Sequence, residues 1–338
     1  MFAARALLGA LCACLLLAAQ AASAADRIDA IRARGHLGCG IDPGVAGFAV
    51  DRGGGRYAGF DVDLCRAVAA AIFGDPDRVR FFDAMSVENF LATSDIDMVA
   101  RRLTWTLTRE GANGVLFGPI VFYDGQGFLV RKSLGATGAR DLAHRRVCVE
   151  PGEGWEGNLA RFSRANGLDL RPVVIADHAA VMRAFLAGRC DAYSADVTML
   201  GSERSRAPAP DALAILPQMI SKEPLAPLVR QGDDRFFALV RWTIFAMIEA
   251  EELGVTPATA AAMLKSRNPD VRLLLGATPG NGKALGVDER WAYWAVSRVG
   301  NYGELFDRDL GKDSPVKLAR GLNRLWTDGG LLYAPPVR

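Results

Sequence analysis

The stretch VCVEPGEGWEGNLARFSRANGLDLRPVVIADHAAVMRAFLAGRCDAYSAD, residues 147–196, alternates two patterns. Val147–Val149 is a short apolar run, and a Gly-rich loop, Pro151–Gly157, follows it. Asn158–Ala165 then reads as helix, Pro172–Ile175 as strand, and Ala179–Leu186 as a helix closed by Gly188. Cys190–Tyr193 is a further strand that ends before Asp196. Repeated strand–loop–helix units predict an α/β fold, with ligand-bearing loops at the carboxyl ends of the strands. Upstream the grammar is the same. Leu37–Ile41 reads as strand, and Asp51-Arg-Gly-Gly-Gly-Arg56 as a hairpin turn. Phe60, Leu64, Val68 and Ile72 recur every four residues, one stripe of a helix that Gly74-Asp75-Pro76 stops. Val79–Phe82 and Ile96–Ala100 are strand candidates, and Arg235–Glu252 is a long helix. The tail after Asn268 is rich in Gly, Asn and aromatic residues.

The chain has 338 residues, room for about two domains at ~150 residues each. Half of it is hydrophobic, and 40 basic residues nearly cancel 38 acidic ones. That balance excludes wholesale disorder, and it lacks the basic excess of a nucleic-acid binder. The first residues differ from the rest. Arg5 is the only charge before Asp26, Ala6–Ala19 is apolar, and Ala22-Ser23-Ala24 is a small-residue cleavage pattern. Residues 1–24 therefore read as a secretory signal peptide, with an uncleaved anchor helix as the alternative.

Cys12 and Cys14 would leave with the signal, so Cys39, Cys65, Cys148 and Cys190 would remain. In an oxidising compartment an even number suggests two disulfides, with three possible connectivities. Their spacing favours neighbours in sequence, each pair within one half of the α/β pattern. No CxxC occurs, and His36, His144 and His178 have no ligand-pair spacing, so no metal site is expected.

Two Gly-rich motifs fail their tests. In Gly38-Cys-Gly40-Ile-Asp-Pro43-Gly44, Pro43 stands where a dinucleotide fingerprint needs its third Gly. In Gly276-Ala-Thr-Pro-Gly-Asn-Gly282-Lys283, Ala284 replaces the Ser or Thr of a phosphate loop. Arg101-Arg102-Leu103-Thr104-Trp105-Thr106-Leu107-Thr108-Arg109 is more informative. In an extended segment Thr104 and Thr106 would face one side, with Arg109 opening the next element. Two hydroxyls plus a guanidinium fork suit a carboxylate, although a β-edge with threonines chosen for strand propensity reads equally well. Asp196 could receive an ammonium group, cap the following helix, or do both.

Here the sequence resembles the periplasmic solute-binding proteins of general L-amino-acid ABC transporters, a branch of the type II periplasmic-binding-protein fold. The resemblance rests on Gly59-Phe-Asp-Val-Asp63, Phe73-Gly-Asp-Pro76, Thr104-Trp105-Thr106, Tyr123-Asp-Gly-Gln-Gly-Phe128, Ser221-Lys-Glu-Pro-Leu225, Gly300-Asn-Tyr-Gly-Glu304 and Tyr333-Ala-Pro-Pro336, among others. It implies an α/β chain of two lobes with a ligand cleft between them and a C-terminal extension. Residues 25–125 and 226–338 would form one lobe and 126–225 the other, with hinges near Phe122–Val130 and Met219–Pro224. The four cysteines fall at family positions, which supports the pairs Cys39–Cys65 and Cys148–Cys190. By the family pattern Arg109, helped by Thr104, would hold an α-carboxylate and Asp196 an α-ammonium, while Phe48 would pack on the ligand side chain or serve as a core aromatic. The resemblance further implies a periplasmic monomer that delivers its ligand to a membrane permease and needs no cofactor.

Three features depart from that pattern. Arg102-Leu103 replaces the usual Asn-Thr, the helix around Leu91–Asp95 is short, and Pro151–Gly157 replaces a Thr-rich helix start. Arg102 and Trp155 would then reshape the side-chain pocket, and Glu153 would repel a nearby carboxylate or itself occupy the helix N-terminus. The alternatives are a diverged member that binds another small carboxylate or serves a sensor, and a dehydratase-like enzyme on the same fold.

Overall fold

The computed structural model describes residues 26–84, 86–152 and 154–338. The expected signal peptide lies outside them, as does Glu153. Strands β1 (Leu37–Ile41), β2 (Val50–Asp51), β3 (Tyr57–Ala58), β4 (Val79–Asp83), β5 (Met98–Val99), β6 (Val115–Phe117) and β7 (Phe122–Asp124) come first. Then follow β8 (Gln126–Arg131), β9 (Arg146–Val149), β10 (Arg171–Val174), β11 (Ala192–Asp196), β12 (Leu213–Ile215), β13 (Glu223–Leu225) and β14 (Leu228–Arg230).

They form two five-stranded sheets of order β4-β1-β5-β14-β6 and β10-β9-β11-β8-β12. In each, parallel strands joined by helices are completed by antiparallel strands. β7 and β13 pair as an antiparallel ribbon where the chain passes between the sheets, with Glu223 opposite Asp124 and Leu225 opposite Phe122. The connection is thus double and hydrogen-bonded.

The helix Phe60–Phe73 is buried nearly all round, because it lies between the first sheet and the helices Asp234–Glu252 and Trp291–Arg298. A helix apolar on every face needs cover on every face, and here the residues after the second crossing supply it. Gly74, at φ 71°, closes the helix in the left-handed region. Gly59, at φ 133°, starts it, and a Cβ there would meet the Phe48 carbonyl oxygen at 2.4 Å. A second core, with Phe128, Val149, Phe185 and Tyr193, fills the other sheet's side.

Both expected disulfides are present. Cys39 of β1 joins Cys65 of the covering helix, and Cys148 of β9 joins Cys190 just before β11. The C-terminal segment reaches across to the helix Val197–Arg206. There the Arg204 guanidinium donates to the carbonyls of Val316 and Lys317, and Gly201 leaves room for Val316 and Leu318. No helix among the described residues is long and apolar enough to cross a membrane.

Candidate ligand site between the two sheets

The segment 101–106 is not a regular strand. Arg102 adopts φ 56°, in the left-handed region, which breaks the alternation of side chains. The two threonines therefore do different work. Thr106 is the N-cap of the helix Leu107–Asn113 and accepts from the Arg109 amide at 3.2 Å. Thr104 bridges to Leu225, and its hydroxyl donates to Glu223 Oε2 at 2.9 Å. The expected pair of hydroxyls facing one receptor is thus divided. Arg109 sits in the first turn of that helix, and its guanidinium donates to the Thr104 carbonyl at 2.9 Å.

Arg102 does not project as a loose cation. It donates to Asp42 at 3.0 Å, and its guanidinium lies 5.5 Å from the centre of the Phe48 ring. Asp42 also sits 3.7 Å from Arg101. Of the two readings of Phe48, the structure shows the core one. The ring is 1% exposed and meets Phe60 and Phe122 edge-on. Behind Arg102 lies Asp61, buried, with no hydrogen-bond partner at Oδ2. Burial pushes its carboxyl up to about 7, against the pull of the Arg102 charge.

On the other wall Asp196 ends β11 instead of lying past it. It occupies the N-cap position of the helix Val197–Arg206, yet its side chain makes no capping bond. Asp124, from the ribbon, does that work: it accepts from the Thr198 amide at 3.3 Å and from the Thr198 hydroxyl at 2.5 Å. The Asp196 carboxylate is thereby left to face Trp155, whose indole N–H donates to it at 2.9 Å. Trp155 reaches it because the helix expected from Asn158 begins at Trp155, after Gly154 turns the chain at φ 79°. Loss of water raises the carboxyls of Asp196 and Asp124. The Asp124 and Glu223 charges push Asp196 further, while the indole bond opposes the shift.

Sequence reasoning passed over Asp42, Asp124, Gln126 and Glu223. Asp124, Gln126 and Glu223 lie inside segments that carried the resemblance, but nothing local says that residues 104 and 223 touch. Arg102, Thr104 and Arg109 belong to the first sheet's side and Trp155 and Asp196 to the second's, with the ribbon acids Asp124 and Glu223 between; the charges of Asp124, Glu223 and Arg102 all bear on Asp196.

Comparisons with known proteins identify the family. Residues 37–256 match the model of the bacterial extracellular solute-binding proteins, family 3. The chain is 46% identical over 330 residues to the general L-amino acid-binding periplasmic protein AapJ of Rhizobium johnstonii, covering 96% of each. It is 44% identical to the glutamate/glutamine/aspartate/asparagine-binding protein BztA of Rhodobacter capsulatus, covering 94% of this chain and 95% of that one. Among solved structures, a Brucella ovis ABC transporter periplasmic binding protein with glutathione bound superposes with a TM-score of 0.82 at 44% identity. It covers 93% of this chain, and all of that chain is matched. With its two sheets and double crossing, the chain belongs to the bacterial extracellular solute-binding proteins, family 3.

Proposed function

We propose that this chain captures an L-amino acid, or a related small zwitterion, in the periplasm and delivers it as a monomer to the permease of an ABC transporter. Residues 25–125 and 226–338 would move as one lobe and 126–225 as the other, closing over the ligand by a population shift. Arg109 and Thr104 would hold the carboxylate, and Asp196 the ammonium. The observation that carries the reading is the division of labour at the helix Val197–Arg206. Asp124 caps it, so the Asp196 carboxylate at the same N-terminus stays available to a cation. A helix cap alone would need one acid; the second holds a neutral donor, the Trp155 indole N–H, whose place a cation can take. Arg102 and Trp155 would set selectivity, Arg102 through its bridge to Asp42 and Trp155 by its bulk beside Asp196. The glutathione of the Brucella ovis structure suits the same clamp, since its glutamyl end keeps a free α-ammonium and α-carboxylate.

A thermal-shift screen of the oxidised chain against the L-amino acids, glutathione and dicarboxylic acids without an amino group tests this. A ligand at 100 times its Kd adds about 2.7 kcal/mol of stability. The reading requires at least one hit that Arg109→Ala and Asp196→Ala abolish. A hit untouched by both substitutions, or hits only among acids that lack an amino group, would refute it.

A further inference from the structure

Gln126 has no exposed surface, and it stands directly across the β8–β11 ladder from Asp196. Residues paired in this way put their side chains on the same face of the sheet. Ser194, two residues before Asp196, shares that face. The Gln126 Nε2 group donates to the Ser194 hydroxyl at 2.9 Å and to the Trp155 carbonyl at 3.1 Å. These partners fix which end of the amide is nitrogen. A carbonyl can only accept, and the Ser194 hydroxyl spends its own hydrogen on the Gly127 carbonyl at 2.9 Å. Turning the amide over would set oxygen against two acceptors. Both Nε2 hydrogens are therefore used, and the Oε1 atom is left buried with no partner.

An amide oxygen with no exposed surface and no protein donor is an acceptor awaiting a donor. Two groups adjoin the Gln126 side chain. One is Asp196, across the ladder; the other is Trp155, whose backbone carbonyl Gln126 holds and whose indole N–H sits on Asp196. An ammonium group carries three N–H donors, and a single carboxylate does not use them all. We infer that Gln126 Oε1 is a second acceptor for the ligand's ammonium group, converging on it with Asp196 once the ligand replaces the Trp155 indole N–H. This rests on the reading of Asp196 as the ammonium acceptor. It makes Gln126 a determinant of the choice between an amine and a hydroxyl. A 2-hydroxy acid brings one O–H donor and can satisfy Asp196 or Gln126, but not both.

The test is the ratio of affinities, by calorimetry, for an amino acid that binds and for the 2-hydroxy acid of the same side chain and hand. Gln126→Met keeps the length and removes the acceptor. It should cut the preference for the amine by roughly ten- to 150-fold, the worth of one hydrogen bond to a charged group. Gln126→Leu also removes the acceptor, with a different side-chain shape, and it should lower the preference in the same way. If Gln126→Met fails to fold, Gln126→Leu against the wild type decides: a collapsed ratio supports the inference, and a retained one overturns it. Equal weakening of both ligands by Gln126→Met would show that Gln126 only holds Trp155 in place, and would overturn it. A wild-type chain that binds amino and hydroxy acids equally overturns this inference while leaving an occupied cleft. A wild-type chain that binds no amino acid overturns the functional reading as well.

Discussion

Trp155→Phe removes the indole N–H together with the rest of the larger ring system and leaves a smaller aromatic ring in its place. In the structure that N–H is the donor to Asp196, at 2.9 Å. Asp196 is largely buried, and the Asp124 and Glu223 charges bear on it, so loss of the donor leaves a carboxylate in unfavourable surroundings. A hydrogen bond to a charged group contributes about 1.5–3 kcal/mol. The free variant should be destabilised by at least about that amount at pH 8, the smaller ring adding a packing loss that the free and liganded chains share. In the liganded chain the ammonium takes over the carboxylate, and the hydrogen-bond loss largely vanishes. That loss then falls on the free state alone, so binding should tighten by the same free energy, about ten- to 150-fold in Kd. Stability and affinity thus move in opposite directions. The gain should shrink at acid pH. The Asp196 pKa is raised in the fold, so a falling pH protonates it and removes the charge that wanted a partner. Chemical denaturation of the free chain and calorimetry at pH 8 and pH 5.5 measure both quantities. A variant that binds more weakly at pH 8 would refute the reasoning, because it would show that the indole supports the ligand rather than standing in its place.

Ligand affinity of the wild type should rise between pH 5 and 8, since an ammonium bound at Asp196 favours the ionised carboxylate and expels a proton; a flat profile by calorimetry contradicts the assignment. His178 sits between Glu150 at 2.9 Å and Glu203 at 3.5 Å, and bonds to these two raise it from 6.5 to about 10. Its stabilising effect is full below pH 6.5 and is lost as pH climbs through about 10, so His178→Gln should lower Tm more at pH 6 than at pH 10. Gly59→Ala places a Cβ 2.4 Å from the Phe48 carbonyl at a φ of 133°, and should destabilise the fold by several kcal/mol, on the order of 3 or more, in denaturant titration. Reduction of either disulfide, which close separations of 26 and 42 residues, should cost about 3–4 kcal/mol, read as a fall in denaturation midpoint with reductant.

The sequence by itself determined the local pieces and the family. β1 spans Leu37–Ile41 as expected, the four-residue stripe from Phe60 became the helix Phe60–Phe73, and Gly74 ended it. These follow from periodicity and from Gly conformational freedom, which act over one or two turns of chain. The cysteine pairs were legible from their spacing, which favoured neighbours in sequence, and from the family positions that supported it. Only the tertiary structure decided which side chains meet. The Thr104–Glu223 bond spans 119 residues of sequence and the Asp124–Thr198 cap spans 74, and no local pattern encodes either. It also decided that Trp155 belongs to a helix and not a loop, that Phe48 is packed into the core, and that Arg102 is tied to Asp42. Burial sets each of these outcomes: a group taken out of water must find its partner among whatever the packing of two sheets brings near.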